Sequence, residues 1–184
     1  MLKPQDVLVL LKLLAKGKEP WAQGKLALEL GMSASEVNAG LKRLEHSGLV
    51  LKGVRRVMAK EGKPSKEQIS IVVAREASRE FLIFALKYLF PAKRGEPTRG
   101  MLTAYAAEPF KKMIVQNGDM PPVWPDAEGL DRGFAFKPLY SCVPFAAKQD
   151  KKLYDLLAIV DVLRSGNARE VKIAKDLLNK EISD

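Results

Sequence analysis

Cysteine and histidine are almost missing from this 184-residue chain: there is one of each, Cys142 and His46. A single thiol excludes an intrachain disulfide and fits a reducing compartment, so the expected location is cytoplasmic. One histidine and one cysteine, distant in sequence, cannot make the usual zinc site. Long apolar runs are lacking too. "FLIFAL" and "VLVLL" fall far short of the ~20 residues a spanning helix needs. Met1 to Pro4 leads straight into an amphipathic pattern, without the charged, apolar and small-residue layout of a secretory leader. There is no nucleophile elbow, no glycine-rich nucleotide loop and no serine–histidine–aspartate set. The acids of "WPDAEGLD" lack the EF-hand order and read as a turn. These absences predict a protein that is not an enzyme, uses no metal or cofactor, and does not enter a membrane.

What the chain does have is positive charge, unevenly placed. The net charge is +9, and residues 1–66 hold 13 Lys/Arg against 6 Asp/Glu, leaving only +2 for residues 67–184. A basic face attracts polyanions and releases their counterions on binding. The remaining composition, 47% hydrophobic and 29% charged, is that of an ordinary globular chain with one large domain or two small ones.

The basic third opens with a helix predicted from Pro4 to about Lys16, with proline suited to its first turn and Gly17 to its end. Its apolar residues, Val7 to Leu11 with Leu13 and Leu14, wrap more than one face. Such a helix is either sandwiched within the domain or shared with a second subunit. A second helix is read over Trp21 to Leu30, with Leu26, Ala27 and Leu30 inward. Gly31 to Ser33 makes a turn, and Ser33 and Glu36 have the capping-box spacing that starts a third helix running to about His46. Val37, Leu41 and Leu44 recur at i, i+4, i+7 and face the core. Opposite them lie Ser35, Ala39, Lys42 and His46, flanked by Asn38 and Arg43, and Gly40 is expected to admit the second helix closely.

The stretch "LALELGMSASEVNAGLKRLEHSGLV", followed by a basic hairpin, resembles the winged helix-turn-helix of MarR-type bacterial regulators over about residues 5–85. The glycine turn, the serine cap and the "L-x-x-L-x-x-x-G-L-V" exit carry the likeness. The resemblance implies that the third helix enters the DNA major groove and that a β-hairpin wing touches the backbone. It makes Ser35, Asn38, Ala39, Lys42 and Arg43 the expected base readers. His46, Lys52, Arg55, Arg56, Lys60, Lys63 and Lys66 become expected phosphate contacts. Two β-rich pieces, about Val54–Ala59 and Gln68–Val73, flank the breaker-rich "EGKPSKE".

A long helix is predicted from about Arg75 to Phe90, stopped by Pro91, with one stripe of Phe81, Phe84, Ala85 and Tyr88 and another of Leu82, Leu86 and Leu89. Both are read as core or as a pairing surface. Residues 91–149 hold eight of the eleven prolines but also seven large aromatics, so an ordered, loop-rich region is expected, not a tether. Within it, "FKKMIVQ" reads as a short helix, "RGFAFKP" as a strand burying Phe134 and Phe136, and Trp124 as a loop anchor. "AKRGEPTRGMLTAY" reads as an exposed basic turn whose Lys93, Arg94 and Arg99 offer either a second DNA-backbone contact or a site for a small anionic effector. A helical hairpin closes the chain: Asp150 caps the first helix, and Asn167 with Glu170 starts the second.

The expected architecture is mainly α with a small β component. Residues 1–90 form a winged helix-turn-helix domain with a long connecting helix. Residues 91–184 form a loop-rich α+β region ending in the helical hairpin. The expected function is a sequence-preferring double-stranded DNA-binding protein, a transcriptional repressor acting as a homodimer. The alternative is a protein-interaction adaptor or antitoxin-like protein whose winged helix binds a protein, with the C-terminal region taking a protein partner or small effector.

Overall fold

The computed structural model describes residues 1–57, 66–114, 118 and 120–183. The fold is mixed α+β with helix predominating and two small sheets. Helix α1 (Pro4–Lys16) is its spine. Val7, Leu8, Val9, Leu10 and Leu11 are all fully buried. One side of α1 packs on α3 (Ala34–His46) and the other on α7 (Lys151–Ser165), so its all-round apolar surface is covered within the chain and needs no second subunit. Helix α2 (Gln23–Leu30) packs beside α3 and turns into it through Gly31, whose φ of 66° is the left-handed value that favours glycine. Gly40 faces α1 and not α2: a Cβ there would lie 3.2 Å from an Asp6 carboxylate oxygen and 3.6 Å from Val9.

Strands β1 (Val50–Val57) and β2 (Lys66–Val73) form an antiparallel pair in register Val50↔Val73 to Val57↔Lys66. The first begins at Val50, at the "SGLV" exit from α3, where Leu49 and Val50 enter the core directly. The long helix is broken into α4 (Arg75–Glu80), one π-helical turn over Phe81–Ala85, and α5 (Leu86–Leu89). The wider turn shifts the helical phase. Leu82, Ile83 and Leu86 are buried, while Phe84, Tyr88 and Leu89 are 63%, 75% and 54% exposed. The aromatic stripe read as core is therefore half outside it.

The stretch expected to be a basic turn is a strand, β3 (Arg94–Leu102). It pairs antiparallel with both β4 (Pro122–Pro125) and β5 (Asp131–Phe136), which run parallel to each other and close a small barrel. Its glycine at position 100 allows this closure, since a Cβ there would sit 2.0 Å from the Trp124 carbonyl oxygen. After Glu108–Phe110, a single 3-10 turn, the predicted "FKKMIVQ" helix does not form over its described residues. A helix not foreseen, α6 (Val143–Gln149), docks on α2 and α7. Helices α7 and α8 (Ala168–Ser183) form the expected hairpin, and it docks on the chain's own α1, α4, α5 and α6.

One continuous apolar core runs through both halves. At its C-terminal end the buried Asp161 carboxylate accepts hydrogen bonds from Trp124 Nε1 (2.7 Å), Thr103 Oγ1 (2.8 Å) and Arg164 (2.7 Å), joining the barrel to α7. Burial pushes this carboxyl upward against the opposing pull of Arg164 and the two neutral donors.

Candidate nucleic-acid interface

The outward face of α3 is set by how its other faces are held. Val37, Gly40, Leu41 and Leu44 are buried. Ser33 caps the helix: its Oγ accepts from the Glu36 N–H (3.2 Å), and the Glu36 carboxylate accepts from the Ser33 N–H (2.9 Å) and hydroxyl (2.7 Å). Tyr140, over a hundred residues away, donates its hydroxyl to the same carboxylate at 2.7 Å. The Ser33 donors first, then Tyr140, hold Glu36 down at about 2. Behind the α2–α3 turn stands α6: a Cβ at position 31 would lie 2.8 Å from the Phe145 ring. Burial there pushes the Cys142 thiol up to about 11, so it is not a reactive thiolate.

What remains outside is a stripe of Ser35, Asn38, Lys42 and His46, all exposed, with Ala39 half-buried beside it. Among the described residues Lys42 has no ion-pair partner. A shallow recess of about 90 Å³ runs along this stripe, lined by Gln23, Asn38, Lys42, Glu45 and Lys52. Gln23 was not picked out in the sequence. It begins α2 and donates to the Ala34 carbonyl at 3.0 Å, which places it beside the stripe.

Arg43 stands apart from its expected role. Its guanidinium donates two hydrogen bonds, of 2.7 and 2.6 Å, to Asp6, whose side chain is wholly buried. The Asp6 hydrogen bond raises the Arg43 pKa further above its ordinary value. Lys52 on β1 pairs with Glu45 on α3 at 2.7 Å, a pair half open to solvent. Arg55, Arg56 and Lys66 lie on the paired strands at Arg55↔Gln68, Arg56↔Glu67 and Val57↔Lys66. Lys60 and Lys63 lie outside the described residues.

The second basic set is spread along β3. Lys93, Arg94 and Arg99 are exposed. Arg99 sits directly across from Arg132 in the β3–β5 register. Like charges so placed repel, and nothing in the sequence linked these two arginines. The Arg94 guanidinium lies 3.8 Å from the Phe134 ring centre.

Among the described residues no helix is long and apolar enough to cross a membrane, and no group of three or more metal-ligating side chains converges. No family model, curated protein or solved structure matches the chain.

Proposed function

We propose that this protein binds double-stranded DNA through the exposed face of α3, as a winged-helix repressor with a preference for certain sequences. The observation that carries the reading is the stripe of Ser35, Asn38, Lys42 and His46, turned outward on a helix whose other side is fixed by α1 and α2. In this role the Asn38 amide bonds an adenine edge, Ala39 meets a thymine methyl, and Ser35 and Lys42 reach neighbouring base edges or phosphates. Arg43, engaged by Asp6, acts instead as a strut that sets the tilt of α3. His46, Lys52, Gln23 and the hairpin residues Arg55, Arg56, Lys60, Lys63 and Lys66 supply phosphate contacts that do not depend on sequence. Two copies read two half-sites about 34–36 Å apart along the duplex.

Fluorescence anisotropy of the full chain on a genomic DNA pool, titrated with salt, tests this. Affinity should fall steeply with salt, by roughly one decade per decade of salt for each phosphate neutralised. Lys42→Ala should weaken binding by about 1–3 kcal/mol, whereas Arg169→Ala on α8 should leave it unchanged. Salt-insensitive or unmeasurable binding, or a Lys42→Ala variant equal to wild type, would overturn the reading.

A second reading rests on Phe84, Tyr88 and Leu89, whose exposure gives the helix after the hairpin an apolar outer surface. In that reading the chain is an adaptor that holds a protein there. A stoichiometric complex lost on Phe84→Glu, with weak DNA binding, would favour it.

A further inference from the structure

Between the barrel and the helical hairpin lies a partly open cavity of about 280 Å³, apart from α3. Phe134 and Phe136 from β5, Pro122 from β4, Ala104 and Val162 line its apolar wall, and Arg94 from β3 stands in its rim. An apolar cavity of about 150 Å³ is enough to hold benzene, so this one has room for a substituted ring. Its polar groups differ in how they are engaged. The Glu170 carboxylate accepts from the Asn167 N–H (3.1 Å) and side-chain amide (2.9 Å) as the cap of α8. The Ser165 hydroxyl donates to the Asp161 carbonyl at 2.8 Å. Arg94 is different: its guanidinium carbon lies 3.8 Å from the Phe134 ring centre, and among the described residues its side chain makes no hydrogen bond or ion pair.

The backbone beside the cavity is strained. Ala104 is the only non-glycine residue with positive φ among the described residues, at 46°. Such a conformation costs an alanine about 1–3 kcal/mol and persists only where the surroundings impose it. Here the preceding residue, Thr103, is fixed by its bond to buried Asp161.

From these observations we propose that the cavity binds a small monoanion with a flat apolar body, its body between Phe134 and Phe136 and its anionic end on Arg94. The guanidinium provides two parallel donors suited to a carboxylate, and its cation–π contact with Phe134 keeps it at the rim. This proposal stands apart from DNA binding and does not require it.

Isothermal titration of the full chain without DNA, using 2-naphthoate and its neutral analogue 2-naphthalenemethanol, is the test. Wild type should bind the carboxylate about tenfold more tightly than the alcohol. Arg94→Gln should abolish that preference, and Arg99→Gln on the same strand should keep it. Val162→Phe, which fills the cavity, should remove binding of both, with thermal melting used to confirm that it folds. Intermolecular NOEs from naphthoate protons to the Phe134 and Phe136 rings of wild type give a readout independent of any variant. No binding at millimolar 2-naphthoate, NOEs to other residues, undiminished binding in a folded Val162→Phe variant, or a carboxylate preference surviving Arg94→Gln would each overturn the assignment.

Discussion

Arg43 and Lys42 are neighbours of like charge with opposite duties. Asp6 is buried without exposure, and Arg43 neutralises it through two short bonds. Removing one partner of a buried ion pair strands the other charge, which typically costs about 3–5 kcal/mol. Arg43→Met should therefore lower stability by about that much in urea unfolding, and the double change Asp6→Leu with Arg43→Met should recover most of the loss. Lys42→Ala, at an exposed and unpaired site, should stay within about 0.5 kcal/mol of wild type. A loss of DNA binding in Lys42→Ala can thus be read as lost contact, whereas the same loss in Arg43→Met would report a damaged fold. The outward positions of α3 were legible in the sequence because helical periodicity alone assigns Ser35, Lys42 and His46 to one side. The duty of Arg43 was not legible. Its partner lies 37 residues away, on the far side of α2 in the sequence, and only packing brings the two together.

At the level of elements, the signals read correctly were local ones. Pro4 marks a helix start by its fixed φ, and Gly17, Ser33 with Glu36, Asp150, and Asn167 with Glu170 mark helix ends through bonds that span three or four residues; each lies at the helix end it marks. The elements that were missed depend on distant partners. Strand β3 carries Pro97 and two glycines, which read as a turn until β4 and β5 are present to pair with it. Helix α6 carries Pro144 in its first turn, among aromatics, and gains its apolar contacts from α2 and α7. The α3 cap joins both kinds of interaction, because Tyr140 adds a distant donor to a local box. Glu36 titrates at about 2 in the folded chain against an ordinary 4.5. Its carboxylate thus contributes stability that is fully present above about 4.5 and disappears as pH falls through about 2. Acid titrations of wild type and Glu36→Gln, followed by circular dichroism, should show wild type more stable above pH ~4.5 and the two curves converging towards pH ~2.

At the scale of the whole molecule, α1 decides how the chain holds together. Its two sides serve the two halves: α3 on one, α7 on the other, with a continuous core around it. A fragment ending at residue 90 would expose the α7-facing side of α1, including fully buried leucines. That fragment should be aggregated or molten in size-exclusion chromatography and near-ultraviolet circular dichroism, while the full chain unfolds in a single cooperative transition. A folded, monodisperse 1–90 fragment would contradict this. Anyone hoping to graft the first ninety residues onto a foreign sensor, as reading heads are exchanged between modular switches, would be cutting through the beam that both floors rest on. The transplant would have to carry the C-terminal helices with it.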